Sequence, residues 1–195
     1  MFFKYIDLYK NFHLVKPINI HDERENYTRK NLISKEVLLN SKHLKLKFVR
    51  NPYARVVSSY LHLSINNLSF YQFLLKLLNN KYEYNIHYAS QHHLLEKQQK
   101  IYNEIIKIEN IESEIERINK KYNINLEYDS ISNHHSIKKL DEKKYVGYIK
   151  YSDIKNTPSY RYFYDDERIK QLVYNIYKID IILYNYTFDE FLKFN

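Results

Sequence analysis

The run from Leu46 to Tyr60, LKFVRNPYARVVSSY, constrains this chain more than any other part of it. Apolar residues at Leu44, Leu46, Phe48 and Val49 specify a buried strand that ends in Arg50. Asn51 then offers a helix cap, and Pro52 supplies the pre-set φ that suits a first helical position. An amphipathic helix follows to about Ser64 and carries Arg55, Ser58 and Tyr60. This order puts two guanidiniums and a hydroxyl at the carboxyl end of a strand, where open α/β sheets place their ligands. An arginine fork grips phosphate through two hydrogen bonds and a serine adds a neutral donor, so the unit is an anion site.

Several alternatives fall on composition alone. The one glycine, Gly147, rules out a Walker A loop and a Gly-rich dinucleotide fingerprint. A net charge of +8 favours an anionic partner such as a nucleotide, an acidic glycan, nucleic acid or a membrane surface. The joint abundance of Lys, Asn, Ile and Tyr accounts for that charge equally well without a partner. With no cysteine there are no disulfides and no thiolate metal sites, which fits a reducing compartment. No run approaches about 18 apolar residues, and charges interrupt the N-terminal MFFKYIDLYKNF too early for a signal peptide. The chain therefore reads as soluble and cytoplasm-like. His92/His93 and His134/His135 lack an HExxH spacing or a matched carboxylate, so no metal is expected.

Along the chain, residues 1–43 are polar and weakly patterned. Ser69 with Gln72 forms a capping-box signature opening a second helix through Leu78. The Tyr-, His- and Gln-rich stretch 81–100 reads as a loop with a helical part, and EIIKI (104–108) as a second short strand. Ile111, Ile115 and Ile118 have helical spacing through Tyr122, whereas 123–163 looks irregular. A last helix is expected behind a cap at Asp165, with Ile169, Leu172, Val173 and Ile176 on one face. The 195 residues form a single α/β domain on this reading, with a short parallel sheet flanked by helices.

FVRNPYARVVSSY resembles the 3′-phosphate-binding motif of the sulfotransferases, nearest to V-R-[DN]-P-[YF]-x-R-[LV]-[VL]-S-x-Y of the Golgi-type carbohydrate branch. IIKIENIESEIERI (105–118) is similar to that family's R-L-E strand and helix, with Glu109 at its Glu. SNHHS (132–136) loosely resembles its Asn/Ser segment, and FYDDERIKQLVYNIYKIDIILYNYTF (163–188) its terminal helix. The resemblance spans 44–188 and implies a P-loop-NTPase-like sulfotransferase fold with 3′-phosphoadenosine 5′-phosphosulfate as donor. It implies that Arg50 and Ser58 bind the 3′-phosphate, supported by Arg55 and Tyr60. It further implies sulfuryl transfer to a hydroxyl, that of a carbohydrate in this branch. His87, in NIHYASQ (85–91), stands where the family often carries a loop histidine, and an imidazole suits the base that removes the acceptor's proton.

The family usually begins with a loop, P-K-[TS]-[AG]-[GST]-[TS], that grips the 5′-phosphosulfate. Nothing before Arg50 fits it, since Pro17 is followed by Ile18 and Asn19. Three explanations stay open: a truncated gene, a substitute such as Lys16 or Lys42, or a half-built donor site. A non-catalytic remnant of the fold that binds a nucleotide or a protein partner is therefore the alternative. A nucleic-acid binder is disfavoured, because Lys and Tyr are scattered and no RNA-binding signature is present.

Overall fold

The computed structural model describes residues 39–40, 42–63, 67–79, 85, 87–92, 96, 100–127 and 144–194. Backbone contacts group the chain into two compact units: Met1–Leu46 with Gln99–Glu104, and Lys47–Gln98 with Ile105–Asn195. In the first, Lys45 donates its N–H to Asn103 Oδ1 at 2.7 Å and accepts from Asn103 N at 2.8 Å.

The expected strand is β1, Leu46–Val49, and it pairs in parallel with β2, Glu104–Lys107. Along β2 the side chains alternate, with Ile105 exposed and Ile106 fully buried. Helix α1, Pro52–His62, follows β1 directly; Asn51 Oδ1 caps it by accepting from Tyr53 N at 3.0 Å. Helix α2, Phe70–Leu78, carries the full capping box between Ser69 and Gln72. A 3₁₀ turn at Ile108–Asn110 leads from β2 into α3, Ile111–Tyr122. The SNHHS stretch and most of 1–43 lie outside the described residues.

The long helix α4, Glu167–Leu183, starts one residue later than its sequence suggests. Its cap is Asp166, whose carboxylate accepts from Ile169 N at 3.2 Å. Asp165 is instead taken up by the chain before it, accepting from Gly147 N at 2.8 Å. Two adjacent aspartates can both begin a helix, and the tertiary bond to Gly147 decides which one does. Tyr177 interrupts α4 with φ −113° and ψ 21°. A short helix α5, Phe188–Phe194, closes the described chain.

Helices α1, α2 and α4 enclose an aromatic core. Tyr60, Phe70, Phe73, Phe163, Tyr177 and Phe191 are all essentially inaccessible to solvent. Tyr60–Phe70 at 5.5 Å and Phe70–Phe163 at 5.6 Å meet edge to face, an arrangement that aromatic quadrupoles favour, while Tyr60–Phe73 is tilted. Gly147 is required by close approach: a Cβ there would lie 2.5 Å from Phe163 O. At left-handed turns asparagine takes the place of glycine, at Asn67, Asn123 and Asn185.

Candidate functional site

Where β1 ends, the main chain is held on both sides. Arg50 N donates to Gln91 Oε1 at 2.8 Å, and Gln91 Nε2 donates back to Arg50 O at 2.8 Å. Asn51, 1% exposed, donates its N–H to Glu109 Oε1 at 2.5 Å and its amide Nδ2 to Thr187 O at 3.1 Å. Glu109 also accepts from the Tyr186 hydroxyl at 3.0 Å. Burial, and then the adjacent Glu109 carboxylate, pushes that hydroxyl far above the usual tyrosine range. With its backbone secured, the Arg50 guanidinium rests over the Tyr160 ring at 5.9 Å. Among the described residues it makes no hydrogen bond and no ion pair.

The next positions on α1 divide by what they touch. Arg55 Nη1 donates to Ala89 O at 2.5 Å. Ser59 Oγ lies 2.5 Å from His87 O and 2.9 Å from Arg55 O, so its single proton is shared between two carbonyls. Ser58 is half-buried beside it, and its hydroxyl forms no hydrogen bond among the described residues. Tyr60 sits wholly in the core, where its hydroxyl donates to Leu68 O at 2.8 Å and burial raises its pKa.

Helix α4 holds the opposite side of the 87–92 segment. Tyr177 donates its hydroxyl to Tyr88 O at 2.8 Å. Asp180, fully buried, accepts from Gln91 N at 2.6 Å, from His92 N at 2.9 Å and from the His92 ring, whose Nδ1 lies 2.8 Å away. His87 donates its own N–H to Asn85 Oδ1 at 2.9 Å, and its ring lies against that of His62, centroids 4.6 Å apart. A further buried pair lies on β1, where Lys47 meets Glu96, their side chains 11% and 6% exposed. Burial lowers the Lys47 ammonium below its usual value, and the Tyr184 hydroxyl donates to Glu96 at 2.9 Å.

Of the residues singled out in the sequence, Arg55 meets the loop bearing His87, and the Arg50 backbone meets the same loop through Gln91. Glu109 lies at the turn after Arg50. His92 is engaged with Asp180, and among the described residues no group of three His, Asp or Glu side chains is arranged to hold a metal ion. His93, His134, His135 and Lys16 fall outside the described residues, and Lys42 is exposed. Gln91 and Asp180 escaped the sequence reading. One signal was available for Asp180: it continues the stripe Ile169, Val173, Tyr177, an acidic residue at a core position.

What this arrangement offers chemically is a guanidinium and a hydroxyl at a strand–helix junction, neither hydrogen-bonded among the described residues, beside a loop held by Ser59, Arg55, Tyr177 and Asp180. The chain matches the family model described as Sulfotransferase family over residues 3–187. It belongs to the sulfotransferase family. The match reaches far beyond the 44–188 stretch that carries the recognisable motifs, and takes in the weakly patterned N-terminal segment. Neither a curated protein nor a solved structure matches the chain. Sulfotransferases move a sulfuryl group, and the α/β architecture of a two-stranded parallel sheet with helices is consistent with their fold. Among the described residues no helix is long and apolar enough to cross a membrane.

Proposed function

We propose that this sulfotransferase takes its sulfuryl group from 3′-phosphoadenosine 5′-phosphosulfate and that Arg50 and Ser58 bind the donor's 3′-phosphate. The observation that carries this reading is a contrast on adjacent positions. The Arg55 and Ser59 side chains are bonded to loop carbonyls, whereas the Arg50 guanidinium and the Ser58 hydroxyl have no hydrogen-bonding partner among the described residues. A guanidinium and a hydroxyl with no hydrogen bond among the described residues are donors that an anion can take up. Arg55 assists by fixing Ala89 and, with it, the segment that bears His87.

In the proposed reaction an acceptor hydroxyl, that of a carbohydrate, attacks sulfur in line. The S–O bond to the donor's 5′-phosphate breaks, His87 takes the acceptor's proton, and adenosine 3′,5′-bisphosphate leaves. Calorimetry with adenosine 3′,5′-bisphosphate tests the site. Arg50→Ala should weaken binding by about 2 kcal/mol, roughly thirtyfold, the loss expected for a charge-assisted pair. Unchanged affinity in that variant refutes the assignment.

A second reading keeps donor binding without transfer. Its support is the sequence before Arg50, which contains no P-K-[TS] element to hold the 5′-phosphosulfate. Transfer of labelled sulfate to a glycan panel separates the two: binding with no transfer to any member favours the second.

A further inference from the structure

We infer that Gln91 is the residue that aims Arg50 at its anion, and that buried Asp180 locks Gln91 in place. This rests on the donor-binding reading above. Arg50 is the last residue of β1's extended run, beyond the two-stranded pairing, and its main-chain N–H and C=O need partners. A primary amide presents one donor and one acceptor side by side, as a peptide unit on a neighbouring strand would. Gln91 does this for Arg50 in both directions, at 2.8 Å each way, across 41 residues of sequence. Its own backbone cannot drift, because Gln91 N and His92 N both end on the Asp180 carboxylate, which has no exposed surface.

Nothing else bonds the guanidinium among the described residues, so its direction is set by the orientation of its Cα and by contact with the Tyr160 ring. Gln91 fixes the former. Its amide is spent on the Arg50 main chain, so it is a positioning residue, and its influence must pass through Arg50. That gives it a signature that a merely structural residue lacks, namely silence once the Arg50 side chain is gone.

The test is a double-mutant cycle on the full chain, read by calorimetric binding of adenosine 3′,5′-bisphosphate. Gln91→Met keeps the length of the side chain and removes both hydrogen bonds; Gln91→Ala is the second variant should the first fold poorly. Losing two neutral hydrogen bonds that orient the cation should weaken binding about tenfold in the wild-type background. In the Arg50→Ala background the same substitution should change affinity by less than about twofold. Binding of adenosine 5′-phosphate, which lacks the group Arg50 would read, should be indifferent to Gln91. Equal losses in both backgrounds, or no loss in either, overturn the inference. Failure of Arg50→Ala itself to weaken binding overturns the donor-site reading instead, so the two failures are distinguishable.

Discussion

Removing the carboxylate of Asp180 offers the sharpest test of how the 87–92 loop is held. The side chain accepts three hydrogen bonds at 2.6, 2.9 and 2.8 Å and is fully buried. Asp180→Ala leaves the N–H groups of Gln91 and His92 without acceptors. One buried unsatisfied donor costs about 1–3 kcal/mol, and both residues are half-buried, so water restores part of the loss. A total of about 3 kcal/mol is expected, equivalent to a fall in Tm of roughly 6–12 °C for a chain of this size. Asp180→Asn discriminates further. It preserves volume and shape but turns one oxygen into an NH₂ group, and each carboxylate oxygen faces at least one donor. Either orientation of the amide then sets donor against donor, so asparagine should be almost as damaging as alanine. Urea unfolding followed by circular dichroism measures both, with an unchanged m-value required for comparison. An asparagine variant within about 0.5 kcal/mol of wild type would show that the side chain acts by packing alone, and would refute the hydrogen-bonding account.

Gly147→Ala should cost about 1–3 kcal/mol, because the new Cβ meets Phe163 O at 2.5 Å, Ile169 Cδ1 at 2.6 Å and Asp165 Oδ1 at 2.7 Å; an unchanged Tm would contradict that crowding. Alkaline pH should also unfold the protein. Burial raises the hydroxyls of Tyr53, Tyr60, Tyr164, Tyr177 and Tyr186, that of Tyr53 to about 12, against an ordinary 10.0. Below 10.0 the folded and unfolded chains both keep these protons; above it the unfolded chain ionises first, and stability falls as pH rises through the folded values. Lys47, whose pKa burial lowers, acts in the opposite sense below 10.5 and is outnumbered. Urea midpoints that stay flat from about pH 9 to about 11 would refute this ordering.

Local signals carried most of the fold. Asn51 and Pro52 announced α1, Ser69 and Gln72 announced α2, and each acts through bonds spanning two or three residues. The shift from Asp165 to Asp166 has the opposite origin, since the deciding bond to Gly147 spans 18 residues. Half of the candidate site was legible in the same way. Arg50, Ser58 and Arg55 fall within one strand–turn–helix, and their chemistry follows from residue type. Gln91 and Asp180 were not, because their importance lies in bonds across 41 and 89 residues. The departure at Tyr177 from helical φ and ψ adds a second difficulty, since periodicity along α4 assumes an unbroken helix.

The reach of these bonds has a consequence for how the protein is made. The strand–turn–helix with its arginines is made before the groups that hold it, and the side chain of Asn51 finds its acceptor, Thr187 O, only 136 residues later. At about 5–20 residues per second that interval lasts roughly 7–27 s. Gln91 follows Arg50 after 41 residues, but the Thr187 carbonyl that holds Asn51 comes only at the end of that interval. Synthesis therefore sets an order: the strand–turn–helix is made first, Gln91 next, and Asp180 and Thr187 near the end.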